Sequence, residues 1–322
     1  MNFSKIILYG HKLHSHTYSY INYGFLKAFK ALGYDTYWID DADDVSNMNF
    51  DNSLFITECQ VEKNIPLSKT SKYISHTTGI SYTSRDGEHK YSTGHQLLPQ
   101  HTYESNLNID VFYLNSIIGA DRINNYTYFN STSKTLIQPW ATDLLPDEFD
   151  FDTAILPRKS EAYFFGTAVN SGWNYNIEEL NEFDIVCKSK NIYFDYSGMY
   201  TRGPNRTVAE PISTEYILEH MKRARIAPII QNKDQIDSGY LTDRLFKNIS
   251  YGHYCITNSL PIYDVLSEFI DHMICDTPAN MIDRLFELEN KDINKKILLN
   301  QMKYIKENHT YINRVNMILK HL

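Results

Sequence analysis

Three stretches of the chain gather residues whose types and spacing can do chemistry. "GHKLHSHT" (10–17) places His11, His14 and His16 in a loop behind a short apolar run. An imidazole titrates near neutrality, so a histidine there can take a proton from a hydroxyl or hold a polar ligand. No carboxylate or cysteine nearby completes a ligand set, so no metal site is expected. "FFGTAVNSGWNYN" (164–176) is an apolar run that breaks into Gly, Thr, Asn and Ser before a helical pattern begins. Gly166, Thr167 and Asn170 stand where main-chain N–H groups at a helix start can hold a phosphate. The stretch is neither GxGxxG nor Walker A, which argues against a dinucleotide oxidoreductase or a P-loop ATPase.

The third stretch is "GYLTDRLFKNISYGHYCITN" (239–258), with Tyr240, Thr242, Asp243, Arg244 and Lys247 around a helix start. Leu245, Phe246 and Ile249 form its apolar face. Asp243 complements the positive end of the helix, whereas Arg244 opposes it. A bound anion would remove that conflict, with guanidinium and first-turn amides gripping a diphosphate and Asp243 accepting from sugar hydroxyls. The plain alternative is an Asp–Arg surface pair. Two basic stretches add candidates. Arg202 in "YTRGPNRT" (200–207) follows a strand-like run and ranks above "KRAR" (222–225), whose cations suit any helix end.

The elements that must position these residues alternate between strand-like and helix-like patterns. "KIILYG", the helical "SYINYGFLKAFKALG" and "YDTYWIDD" form a β-loop-α-β unit, followed by strand candidates at 53–58, 72–77, 110–115 and 135–140. "PWATDLLPDEFDFDTAILPRKS" (139–160) lacks a sustained period and suits a linker. Alternation then restarts with "EAYFFG" and continues to a helical tail from Asp292. The fold expected is α/β, with two Rossmann-like domains facing across a cleft. Residues 1–140 form the first, 141–160 the linker and 161–322 the second, whose last helix is a candidate to pack back on the first.

The 322 residues carry a formal net charge of −8, which argues against nonspecific coating of nucleic acid. No segment has the uninterrupted apolar length of a membrane span. The opening "MNFSKIILYG" is too short for a signal peptide, so a cytoplasmic protein is expected. Cys59, Cys187, Cys255 and Cys275 are scattered and read as reduced thiols. "DDADD" (40–44) reads as a solvated turn.

Taken together, "YFFGTA", "RLFKNISYG", "YCITN" and "HTYINR" (309–314) resemble the C-terminal half of glycosyltransferases of GT-B architecture, the spore-maturation-like, family-one type above all. "YLTDR" is also similar to the donor motif of α-1,3-fucosyltransferases, Tyr-x-Thr-Glu-Lys, in which acid and cation contact the nucleotide sugar. The resemblance implies transfer of a hexosyl or pentosyl group from a nucleotide-diphosphate sugar to an acceptor hydroxyl, with no metal and no cofactor. By analogy Asp243 and Arg244 contact the donor, and together with Gly166, Thr167, Asn170, Arg202, Tyr240, Thr242 and Lys247 they make up the expected donor site. At Lys247 the family pattern has a Glu assigned to the donor ribose, which leaves the nucleotide, the sugar and the stereochemical course open. Should the transfer invert the anomeric centre, His11, Glu58 and His76 are the candidate bases, each at an expected strand end. The acceptor can be a glycan, a protein, a small molecule or, further down the order, a modified DNA base. A non-catalytic sugar- or nucleotide-binding protein and a sugar-nucleotide epimerase are the alternatives.

Overall fold

The computed structural model describes residues 2–13, 18–57, 64–76, 80–85, 88–93, 106–110, 134–154, 159–166, 176–197, 200–201, 207–208, 214–237, 240–259, 262–272, 274–289 and 292–322. The chain forms two compact units. Unit 1 is Met1–Asp143 with Ser238–Tyr240 and Tyr311–Leu322, and unit 2 is Leu144–Asp237 with Leu241–Thr310. The division at Asp143 falls inside the linker stretch.

Unit 1 is built on a six-stranded parallel sheet of order β2-β1-β3-β4-β7-β8. Its strands are β1 (Lys5–Tyr9), β2 (Thr36–Ile39), β3 (Ser53–Thr57), β4 (Lys72–His76), β7 (Leu107–Asp110) and β8 (Lys134–Ile137). Ile6, Ile7 and Leu8 in β1, and Leu54, Phe55 and Ile56 in β3, are buried as unbroken apolar runs. Such runs, without alternation, are what strands covered on both faces require. Between β4 and β7 the chain inserts an antiparallel hairpin, β5 (Ile80–Arg85) and β6 (Glu88–Thr93), closed by the pair Arg85–Glu88. The expected strand at 110–115 is β7 instead, which starts at Leu107 and reaches Asp110; 111–115 lie outside the described residues.

Helix α1 (Tyr18–Ala31) covers this sheet and packs on the last helix of the chain, Tyr311–His321. The fit depends on Gly24, because a Cβ there would stand 2.3 Å from the Tyr311 ring. Tyr311 then lies 4.7 Å from Phe25, centroid to centroid. Arg314, three residues on, donates Nε–H to the Pro139 carbonyl at 2.7 Å and Nη2–H to the Trp140 carbonyl at 2.7 Å. Burial lowers its pKa to about 10, so it stays charged at neutrality. The Tyr and Arg of "HTYINR" are therefore packing and anchoring residues of unit 1.

Unit 2 centres on β9 (Lys159–Phe165), flanked in parallel by β10 (Tyr193–Ser197) and β13 (Ala224–Ile226), with a short antiparallel pair, β11 (Tyr200–Thr201) and β12 (Thr207–Val208), between the latter two in the chain. Beyond β13 a parallel bridge joins Ile229 to Thr257 in β14 (Ile256–Thr257), which pairs with β15 (Ile274–Cys275). Helices α2 (Phe151–Ala154), α3 (Ile177–Ser189), α4 (Thr214–Arg223), α5 (Lys233–Asp237), α6 (Asp243–Ser250), α7 (Ile262–Val265), α8 (Met281–Glu289) and α9 (Asp292–Asn308) complete it, and Tyr311–His321 becomes α10. Ala162, Phe164, Phe183, Ile226, Ile256 and Leu285 belong to one buried cluster between sheet and helices. No helix among the described residues is long and apolar enough to cross a membrane.

Candidate functional site

Asp243, Arg244 and Lys247 of unit 2 meet at the carboxyl edge of its sheet. Helix α6 starts there because Thr242 caps it: the Thr242 hydroxyl accepts the Arg244 main-chain N–H at 3.1 Å. Leu245, Phe246 and Ile249 bury the helix against the core, and His309 stacks on Phe246 at 5.0 Å. The first turn therefore cannot drift from the strand ends.

Arg244 is 8% exposed, and its guanidinium spans two strand exits. Nη1 donates to the Phe165 carbonyl at 3.3 Å and Nη2 to the Ile230 carbonyl at 3.3 Å. The guanidinium carbon also stands 4.6 Å over the Phe164 ring. Gly166, with φ +154°, leaves room for this contact, since a Cβ at that position would be 2.2 Å from Nη1. The conflict between a cation and a helix start is thus met inside the protein, by carbonyl dipoles at the ends of parallel strands. An incoming anion is not needed to explain it.

Asp243 pairs with Lys247 at 2.8 Å, one helical turn along. Side-chain exposures of 7% for Lys247 and 21% for Asp243 place this pair inside the unit, so Asp243 is not the surface residue of the plain alternative. Burial works against the Asp243 carboxylate, but the Lys247 charge and hydrogen bond, then Arg244 and the Thr242 hydroxyl, hold its pKa below the usual value. Lys247 also lies 5.9 Å from the Phe165 ring. Two cations and one carboxylate at a helix N-terminus leave a surplus of positive charge, which is chemistry suited to a phosphate-bearing ligand.

Next to this cluster the Asn258 side chain extends the sheet. It accepts the Gln231 N–H at 2.9 Å and donates to the Gln231 carbonyl at 2.6 Å. Gln231 and Asn258 were not candidates from the sequence. The parallel bridge between Ile229 and Thr257, which brings them together, leaves no mark in local periodicity.

Other expected residues fall elsewhere. Tyr240 belongs to unit 1, where its hydroxyl accepts the Trp140 indole N–H at 3.0 Å. Thr167, Asn170, Arg202 and Glu58 lie outside the described residues. The "KRAR" cations are distributed over protein partners: Lys222 at 3.9 Å from Asp150, Arg223 at 2.9 Å from Glu161 and Arg225 at 4.5 Å over the Phe286 ring.

In unit 1, His11 follows β1 at the carboxyl edge, is partly exposed and has its carbonyl bonded by Asn22 Nδ2 at 3.4 Å. His76 ends β4 as expected, yet its ring is 1% exposed. Tyr18, Phe25 and Trp140 surround it at centroid distances of 6.0, 5.4 and 5.6 Å. Burial lowers its pKa to about 3, partly opposed by the Thr57 main chain. A ring so enclosed is a neutral core residue in this conformation, and an acceptor hydroxyl does not reach it. Among the described residues no cluster of His, Cys, Asp and Glu could hold a metal ion.

No protein-family model and no curated protein matches the chain. Solved structures do. An alpha-glucosyltransferase in complex with UDP and a 13-mer DNA containing an HMU base is similar over 96% of each chain, with a TM-score of 0.57 and 10% identity. T4 phage BGT in complex with its UDP-glucose substrate is similar over 94% of each chain, with a TM-score of 0.55 and 12% identity. At such identities the likeness is one of fold, and the fold is that of the GT-B glycosyltransferases, the class expected from the sequence.

Proposed function

We propose that the chain is a glycosyltransferase that moves a sugar from a nucleotide-diphosphate sugar to an acceptor hydroxyl. The observation that carries this reading is the pair of buried cations, Arg244 and Lys247, at the capped start of α6 on the carboxyl edge of a parallel sheet. Ligands of open α/β sheets bind at such edges, and a departing nucleoside diphosphate needs positive charge fixed before the reaction begins. In this reading Gly166 and the first turn of α6 face the diphosphate. Asp243 receives a donor hydroxyl, and Thr167, Asn170 and Arg202 complete the donor site. Tyr240 lies two residues before the cap. Protein cations carry the leaving-group charge, so turnover persists in EDTA and no cofactor is required. The finer resemblance to spore-maturation-like transferases and α-1,3-fucosyltransferases belongs to the same reading, as does a cytoplasmic location.

His11 is the first candidate base of unit 1, with Glu58 the second; the burial of His76 removes it from the front rank. The donor to try first is UDP-glucose, because the fold is shared with structures holding UDP or UDP-glucose. UDP release from UDP-glucose, alone or with acceptor, is the test. A panel of UDP-, GDP- and CMP-sugars that neither raises the melting midpoint nor turns over would end the reading. Binding without turnover would favour a non-catalytic sugar-nucleotide binder.

A second reading concerns the acceptor. Two of the similar structures are linked to DNA, an alpha-glucosyltransferase in complex with a 13-mer DNA containing an HMU base and a DNA-modifying beta-glucosyltransferase, and the likeness spans 94–96% of each chain. That favours a hydroxymethylated base in DNA as acceptor. Glucose transfer from UDP-glucose to an oligonucleotide carrying such a base, against an unmodified control, decides it.

A further inference from the structure

The loop behind β1 is fastened at three consecutive residues. Gly10 N–H donates to the Ile39 carbonyl at 3.0 Å. The His11 carbonyl accepts from Asn22, a buried residue of α1. Lys12 turns its side chain across the sheet edge to the exit of β2, where its ammonium donates to the Trp38 carbonyl and pairs with Asp43 at 2.7 Å. The receiving turn is itself braced. Asp43 accepts the Asp40 N–H at 2.8 Å, and Asp40 accepts the Ala42 N–H at 2.9 Å. Asp41 accepts the Tyr9 hydroxyl at 2.8 Å and the Asn64 N–H at 3.1 Å. "DDADD" is exposed, as its composition predicts, but it is also an anchor.

The Lys12–Asp43 pair is more than a third exposed on each side, so it contributes little to stability. Holding a long lysine stem in one place also costs side-chain entropy. What the arrangement does achieve is a fixed main chain on both sides of the point from which the His11 imidazole projects. We infer that Lys12 is a positioning residue, and that its bridge to Trp38 and Asp43 holds His11 in place to take the proton of the attacking hydroxyl. The inference rests on the transferase reading and on His11 as base. Bond changes are those of that reaction: the hydroxyl proton passes to the imidazole, the oxygen bonds the anomeric carbon, and the diphosphate leaves with the bonding pair.

The test is UDP release from UDP-glucose in water, resolved into kcat and KM, for wild type, His11→Asn, Lys12→Met, Lys12→Arg and Asp43→Asn. Expected for Lys12→Met is a fall in kcat of about tenfold or more, the scale of a misplaced catalytic group. KM and melting midpoint stay unchanged, and Lys12→Arg recovers most of the rate. Asp43→Asn, which keeps an acceptor oxygen and the Trp38 carbonyl contact, lowers kcat by a smaller factor and serves as well should Lys12→Met fail to fold. An active His11→Asn overturns the base reading itself. An inactive His11→Asn with Lys12→Met and Asp43→Asn both at wild-type kcat overturns the positioning inference alone. A rise in KM with unchanged kcat in either variant also overturns it, since that marks lost binding and not lost positioning.

Discussion

The two sheets carry ion pairs at their carboxyl edges in opposite ways. In unit 2, Lys247 and Asp243 are 7% and 21% exposed, and Arg244 beside them bonds two main-chain carbonyls. In unit 1, Lys12 and Asp43 are 38% and 37% exposed, and the loop they fasten lies over the edge. Buried charges must be fully partnered before a ligand arrives, because an unpartnered one is costly in a low-dielectric surrounding. Exposed charges are solvated either way and can be rearranged cheaply. The edge in unit 2 is therefore a prebuilt electrostatic site, which the proposed function assigns to the donor diphosphate. The edge in unit 1 is held by replaceable contacts, which the proposed function assigns to the acceptor side.

The largest expected effect tests the buried side. Arg244→Ala leaves the Phe165 and Ile230 carbonyls without a charged donor and opens space over Phe164. We expect a loss of roughly 3 kcal/mol in denaturant unfolding. A change below experimental error would mean that the guanidinium does not support the strand exits. Gly166→Ala forces a methyl group into Nη1 and should cost about 2 kcal/mol. Because the two side chains compete for one space, its cost should shrink in an Arg244→Lys background; strict additivity in the double-mutant cycle would refute the contact.

The next effect uses pH. The folded-state pKa of His76, about 3, lies below the ordinary value of 6.5. Its neutral form therefore supports folding fully above pH 6.5, and that support is lost as pH falls from 6.5 toward 3. At pH 5 the wild type should have lost about 2 kcal/mol through this residue. His76→Leu should flatten the stability profile between pH 7 and 5 by that amount, and an unchanged slope would show that the ring is not charge-excluded. Asp243, with its pKa lowered, supports folding above its ordinary value and loses that support as pH falls through the folded value. Its window opens only below the ordinary Asp value of 3.8, so the slope between pH 6.5 and about 4 belongs to His76.

The smallest effect belongs to the exposed side. Lys12→Met should change unfolding free energy by less than about 1 kcal/mol, and less again in high salt. A loss comparable to that of Arg244→Ala would erase the contrast between the two edges.

Much of this was legible along the chain, and the exceptions share a cause. β1 and β3 are apolar runs of strand length, and α1 and α3 have helical spacing with terminators, so local pattern places them. The pairing of β5 with β6 has a signal in the sequence, the Asp-Gly of "RDGE", a residue pair that favours tight hairpins and was not among the expectations. Arg244 was rightly singled out as a cation against a helix dipole. Its partners were misjudged, because carbonyls from residues 165 and 230 are brought to it by strand order, which no local period encodes. His76 shows the same limit. A histidine at a strand end looks like a base until the rings of Tyr18, Phe25 and Trp140, contributed from far along the chain, close around it.

The sequence by itself determined the alternation of strands and helices, the Thr-Asp-Arg helix start and the chemical types available at each strand exit. Those follow from near-neighbour rules: side-chain period, capping and backbone freedom. Tertiary structure alone decided which charges pair, which histidine meets water and which glycine must have no side chain. Burial and partnership are properties of contacts between distant segments, and they set whether a polar group is solvated, satisfied or costly.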